Sequence, residues 1–480
     1  MSIRIAALTL VIAGLAIYAW RDWFMALCGL ILLMAVVEHP DMPKTLLGVQ
    51  GLNPWNVLLF VVVCAWAVNR SREGLTWDMP AGTSLLLTLY LVVVLVGFGR
   101  MMSDRSELTG ITTGYLVSEN LINCIKWVIP GLLLFDGCRT RRRLLQGLAC
   151  VLGVYVLLAL QVIRWMPLET VLSGDDLTAR SRKILMNEVG YHAVNMSMLL
   201  AGASWAVLAT MPLLQRFSHK VLIVLAALII LYGQVLTAGR MGYVTWALVG
   251  LVLCTIRWRK LLPLLAVAPL AVAVLLPGAM DRVLLGFGET DVSGQEVTDN
   301  YLVTSGRTLV WPLVLEEIGE APLVGYGRKA MITTGLAREI QAQYGDSFPH
   351  PHNAYLEWLL DNGVTGLAVV MPFFLLMMAR SARLLLDPGH ELFAVCGGVA
   401  CALILALLVA GLGSQTFYPR EGAVGMWCAI GLMMRVWVER RQRAAVAAGS
   451  MAARFQIGFA GAAAPAIPRR GETPLDPLRS

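Results

Sequence analysis

Apolar residues in this chain come in blocks of roughly 15 to 22, the length a helix needs to cross a hydrocarbon core of about 30 Å. The blocks fall at 3–20, 23–37, 54–68, 83–99, 118–135, 144–162, 191–212, 220–237, 241–256, 261–277, 364–379, 391–412 and 422–438. They lack the alternation of a membrane barrel, so the pattern predicts an all-α polytopic membrane protein. Only Arg21 and Asp22 separate the first two blocks. The span count is therefore about twelve or thirteen. Charged residues make up 14% of the sequence, well below the roughly 25% of a water-soluble domain. The first block has no small-residue cleavage site and runs into the next, which predicts a retained anchor rather than a cleaved signal.

Short basic links recur after every second block: Arg139, Arg141, Arg142 and Arg143; Arg216 and Lys220; Arg257, Arg259 and Lys260; Arg380 and Arg383; and the tail from Arg440. This alternation puts them all on the cytoplasmic side, and it accounts for the net charge of +7 without nucleic acid. The opposite face then receives 100–117, 163–190, 238–240, 278–352 and 413–421. Segment 278–352 far exceeds an ordinary connector, and its stretches 305–318 and 330–344 are helix-permissive, so a small helical cap is expected there. The chain divides into transmembrane helices over 1–277, the large loop 278–352, further transmembrane helices over 353–438, and a disordered, basic cytoplasmic tail over 439–480. No internal repeat is apparent. The nine cysteines lie almost wholly in apolar blocks without a C-x-x-C pair, as buried small hydrophobes do.

Chemistry-bearing residues concentrate on that opposite face. F-P-H-P-H-N-A-Y-L-E at 348–357 presents His350 and His352 on a segment stiffened by Pro349 and Pro351, with Asn353 as the cap of the following helix. Glu357, one turn on, is positioned to steady the histidines. L-T-A-G-R-M-G-Y at 236–243 puts Arg240 in so tight a link that it must sit at the interface, where it either snorkels or meets an anion, carboxylate or water. In S-G-R-T-L-V-W at 305–311, Ser305 is expected to cap a helix and Arg307 to fall in its first turn. A cation there opposes the helix dipole, so it either serves something outside the helix or pairs with Glu316 or Glu317.

Two histidines without a third ligand at metal spacing do not make a zinc site, and the predicted metal and cofactor requirement is none. Arg180, Arg182 and Lys183 are offset by Glu169, Asp175, Asp176 and Glu188 and read as a solvated loop; the adjacent aspartates are not a spaced D-x-D. Lys126 and Arg435, inside apolar blocks, are expected to pair or snorkel. Arginine suits a diphosphate because its planar fork makes two charge-assisted bonds and keeps its proton, and histidine suits proton removal near pH 7. The combination fits displacement of a lipid diphosphate by a hydroxyl. A transporter of an anionic lipid is the rival, but it should present a polar path at mid-membrane formed by broken helices, whereas the polar residues here crowd one face. A structural envelope protein that uses the long loop for docking is a third reading.

With P-H-P-H-N-A-Y-L-E-W-L-L-D-N-G-V-T-G-L at 349–367, P-L-V-G-Y-G at 322–327 and the two arginine motifs, the chain resembles the O-antigen ligase and polymerase superfamily of bacterial glycosyltransferases over roughly 190–420. The resemblance implies a GT-C-like inner-membrane enzyme with about twelve helices and a large periplasmic loop. Its implied reaction is metal-independent, inverting transfer of a glycan from undecaprenyl diphosphate. It makes His352 the essential histidine and Arg240 and Arg307 the diphosphate-binding arginines; His350, Asn353 and Glu357, from the local pattern, are the expected supporting residues. Gly239 departs from the serine common before the first arginine, and Arg180 or Arg182 aligns loosely with a further arginine ahead of Asn195. The superfamily's acceptors are lipid A core, growing polysaccharide, or protein serine and threonine. The expectation here is a ligase using lipid A core, with the polymerase and the protein O-oligosaccharyltransferase as alternatives.

Overall fold

The structure is a computed structural model that describes residues 3–46, 48–74, 76–166, 177–285, 287, 289–290 and 296–459. Glu169, Asp175, Asp176 and residues 460–480 lie outside these. Among the described residues the architecture is helical, with two short antiparallel ladders, Thr45–Leu46 with Val49–Gln50 and Glu289–Thr290 with Glu296–Val297. Among the described residues eight helices are long and apolar enough to cross a membrane: Pro54–Arg72, Ala81–Ser103, Arg141–Trp165, Ala193–Leu213, Phe217–Leu236, Ala354–Leu385, Glu391–Ala410 and Glu421–Val446. The other predicted blocks form shorter or interrupted helices. Block 118–135 follows the short helix Thr113–Val117 and is divided into a π turn at Ser118–Ile122, Asn123–Lys126 and Ile129–Gly137. Past position 438 the last helix continues to Phe459.

The Ala81–Ser103 helix sets the distance between the two ends of the molecule. Its 23 residues span roughly 34 Å at about 1.5 Å each. It starts just after Asp78, which takes a bidentate pair from Arg435 at 2.8 and 2.7 Å and a contact from Arg139 at 3.0 Å. Fully buried Asp136 joins the same lattice, bridging Arg139 at 3.1 Å and Arg70 at 2.9 Å. Arg435 is thus paired, as one of its two expected fates had it. Lys126 instead donates to Asn56 Oδ1 at 3.0 Å and lies over the Trp127 ring.

At the helix's far end Arg100 donates to the carbonyls of Val324 and Gly325, on segment 278–352. This segment contains the helices Arg307–Glu320, Ala330–Thr333 and Leu336–Tyr344, in the stretches expected to be helical. Val310, Val314, Met331, Ile340 and Phe348 form a small core there that also takes in Leu360 of the Ala354–Leu385 helix. That long helix is broken at Gly363, whose φ of 66° and ψ of −173° only glycine adopts readily. A break frees backbone groups that must find partners. P-L-V-G-Y-G supplies them: Tyr326 N and Gly327 N donate to the carbonyls of Leu360 and Asp361 at 2.9 and 2.7 Å, while Val364 N and Thr365 N donate to those of Pro322 and Leu323 at 2.8 and 3.1 Å. A broken helix is therefore present, but the loop closes its open backbone groups.

Candidate active site

The described non-glycine residues with positive φ are Ala238, Ser305, Lys329 and His352, at 54°, 53°, 61° and 51°. Side chains in that region persist only where surrounding contacts over-determine the backbone. Ala238 stands two residues before Arg240, Ser305 two before Arg307, and Lys329 one after Arg328. The fourth is the predicted histidine. Strained backbone thus gathers around the candidate chemistry.

His352 is fixed from several sides. Its backbone N–H donates to His350 Nδ1 at 3.3 Å, and the two rings are 4.1 Å apart. The next residue starts the helix as expected, Asn353 Oδ1 accepting from the N–H groups of Tyr355 and Leu356 at 2.9 and 3.2 Å. His352 Nδ1 lies 3.2 Å from Ser414 Oγ. Burial, with the positive fields of His350, Arg307 and His192, pushes the His352 imidazole down to about 3. It is neutral at pH 7. Burial also lowers His350, and Glu357 opposes this through space.

S-G-R-T-L-V-W packs directly on the histidine segment. A Cβ on Gly306, which has φ 77°, would stand 2.8 Å from the Phe348 ring, and Trp311 Nε1 donates to the Pro351 carbonyl at 2.9 Å. Gly306 rather than Ser305 is the N-cap of the Arg307–Glu320 helix. Ser305 ends the preceding helix in a left-handed turn, and its hydroxyl accepts from Arg240. A left-handed residue ahead of a glycine cannot take the extended backbone a capping serine uses. Arg307 reaches outside its own helix, as the dipole argument requires, donating from Nη2 to the Gly413 carbonyl at 2.7 Å. Its Nε is buried without a hydrogen-bond partner, and burial and Arg240 both act against its charge. A buried donor left unmet in a charged group calls for an acceptor that the protein's own atoms do not supply, such as a water, an ion or a ligand.

Arg240 opens the Arg240–Ile256 helix and turns toward the 285–305 stretch. It donates to the carbonyls of Leu285 and Leu302 at 3.1 and 2.6 Å and to Ser305 Oγ at 3.1 Å. The tight link is made possible by its glycines, because a Cβ on Gly242 would stand 1.8 Å from Ser197 Oγ. Where the resemblance implies a serine, the hydroxyl comes from elsewhere, Ser197 Oγ donating to the Gly239 carbonyl at 3.0 Å. Arg182, exposed, acts through space on both Arg240 and His192.

The adjacent residues Gly413 and Ser414 hold Arg307 and His352 respectively, so one short link sets cation and histidine side by side. The sequence reading did not single out these two; their signal was a polar G-L-G-S-Q-T stretch between two apolar blocks. Nor did it find Arg328, which follows G-Y-G. Its Nε donates to Asn120 Oδ1 at 2.8 Å and its guanidinium lies 3.8 Å from the Tyr418 ring centre. Glu357 lies on the wall of a cavity shared with Arg328. Among the described residues no group of three or more His, Cys, Asp or Glu is arranged to hold a metal ion.

The arrangement offers arginine donors beside a neutral histidine at one end of a helical membrane protein. No curated protein matches the chain. Residues 225–371, which include Arg240, Arg307, P-L-V-G-Y-G and His352, match the family model described as O-antigen ligase, and that match supports the O-antigen ligase superfamily for this chain.

Proposed function

We propose that this protein is an O-antigen ligase of the inner membrane, with about twelve spans and its site facing the periplasm. It transfers a glycan from undecaprenyl diphosphate to a sugar hydroxyl of lipid A core. The observation that carries the reading is the Gly413–Ser414 link, which puts the unmet donor of Arg307 beside His352. In the reaction the acceptor oxygen attacks the anomeric carbon from the face opposite the diphosphate. The carbon–oxygen bond to the diphosphate breaks with inversion, and the leaving group departs with the bonding pair. Arg307 and Arg240 stabilise its growing charge, the work a metal ion does elsewhere. The acceptor's proton passes to His352 Nε2, which has a free lone pair when Nδ1–H donates to Ser414 Oγ.

The test is transfer by purified protein with undecaprenyl-diphosphate glycan, lipid A core and EDTA. Capped core is the expected product. Elongated lipid-linked glycan without added core would instead make the protein a polymerase, and no product with either acceptor would count against the transferase. His352→Ala should lower turnover by roughly 10²–10⁴-fold, the usual contribution of a positioned general base, while the lipid-diphosphate donor still binds. Full transfer by a folded His352→Ala protein would remove the histidine from the chemistry.

A further inference from the structure

A cavity of about 640 Å³ lies beside the histidine segment, and neither Arg240 nor Arg307 lines it. Its size is within the range of small-molecule sites, about 300–1,000 Å³. Four carboxylates, Glu38, Glu119, Glu357 and Glu421, are on its wall. So are the cations Lys44, Lys126, Arg328 and Arg420. This balance is wrong for a diphosphate, which needs unopposed cations, and charged walls are wrong for a lipid tail. It suits a ligand dense in hydroxyls, each of which donates and accepts at once. Tyr115 adds a flat aromatic face against which the C–H face of a sugar ring can lie.

The link 413–421 fixes where this cavity sits. Gly413 holds Arg307, Ser414 meets His352, and Thr416, Tyr418, Arg420 and Glu421 line the cavity. The order along the chain is cation, histidine, cavity. Thr416 follows Ser414 by two residues, at most about 7 Å of extended chain. A smaller cavity of about 190 Å³ shares Glu357 and Arg328 with the first and reaches His350 and Pro351. Arg328 contributes a further unmet donor, its Nη1 being buried without a hydrogen-bond partner.

We infer that the large cavity is a saccharide-binding site and holds the acceptor glycan, joined to His352 and Arg307 through the link 413–421. The word acceptor rests on the function proposed above; the saccharide rests on the cavity alone. The probe is lipid-free core oligosaccharide, titrated into the full-length protein in nanodiscs with saturation-transfer NMR as readout. Tyr115 and Glu119 are exposed and stand outside the catalytic machinery, so Tyr115→Ala/Glu119→Gln should fold, with Glu119→Gln alone as the second variant. The oligosaccharide is expected to bind the parent and His352→Ala proteins alike and the double variant about tenfold more weakly, as loss of a charge-assisted bond and a ring face requires. In transfer assays the acceptor KM should rise by a similar factor, with kcat and donor KM close to the parent's.

Equal binding by parent and double variant overturns the site, and so does a shift in donor KM in place of acceptor KM. Cavity-dependent binding without transfer by any preparation supports the saccharide site and overturns the transferase. Transfer with acceptor KM unchanged in the variant does the reverse.

Discussion

His352 in the ligand-free protein is a weak base, because burial, His350 and Arg307 together hold it near 3. A base so depressed keeps the correct protonation state at neutral pH but has little drive to take a proton. Diphosphate bound at Arg307 would bring negative charge into the same field and strengthen it. The reaction needs neutral His352, so rate falls as pH drops through its pKa. In kcat/KM for the donor, which reports the free enzyme, that acid limb should lie well below pH 5. In kcat, which reports the complex, it should stand at higher pH, and a kcat limb at or below the kcat/KM limb would falsify the coupling. Arg307→Lys tests the neighbouring cation. Lysine loses the planar fork that serves Gly413 and a ligand together, so kcat should fall roughly 10²-fold in a protein of unchanged melting temperature. At this scale the sequence was informative where a side chain acts alone. Asn353 as cap and Arg307 as a cation serving something outside its helix follow from local rules. Ser305 did not, because a serine ahead of a glycine can cap or turn, and the choice was made by Arg240 from 65 residues away.

Helices and links carry a different kind of information. The Ala354–Leu385 helix tolerates Gly363 only because residues 322–327 pair with the backbone it exposes. Gly363→Ala would force a side chain into a φ that disfavours it and put a Cβ 2.3 Å from the Leu323 carbonyl. A loss of about 1–3 kcal/mol or more is expected, read as a lower melting temperature and poor recovery from the membrane. Parent-like stability would show that the break is incidental. Both partner motifs were visible in the sequence, but their pairing was not, since it runs between backbone groups and leaves no side-chain pattern. Block 118–135 holds a detail of the same kind. Average hydropathy does not register a π turn at Ser118–Ile122, in the stretch from which Ser118 and Asn123 line the large cavity.

Across the whole molecule the two ends hold charge in different ways. At one end Asp78 and Asp136 are saturated by Arg70, Arg139 and Arg435. At the other Arg307 and Arg328 keep donors unmet. Asp136→Ala would leave Arg70 without its carboxylate and Arg139 with Asp78 alone, and should cost about 1.5–3 kcal/mol, seen in thermal unfolding, while donor affinity in the folded fraction stays at the parent value. Loss of donor affinity in that fraction would mean the lattice reaches the site. Which end is basic was legible from loop composition; that Arg139 and Arg435 are drawn into a lattice there was not, because Asp78 and Arg435 stand 357 residues apart.

The clasp between 322–327 and 360–365 also bears on anyone wishing to exchange parts among such proteins. The segment 278–352 looks like a portable insert, yet its backbone completes a membrane helix that lies beyond its own C-terminal end. A chimaera cut at 352 would join two halves of a seam cut to different patterns. One cut after 365 would carry the seam whole.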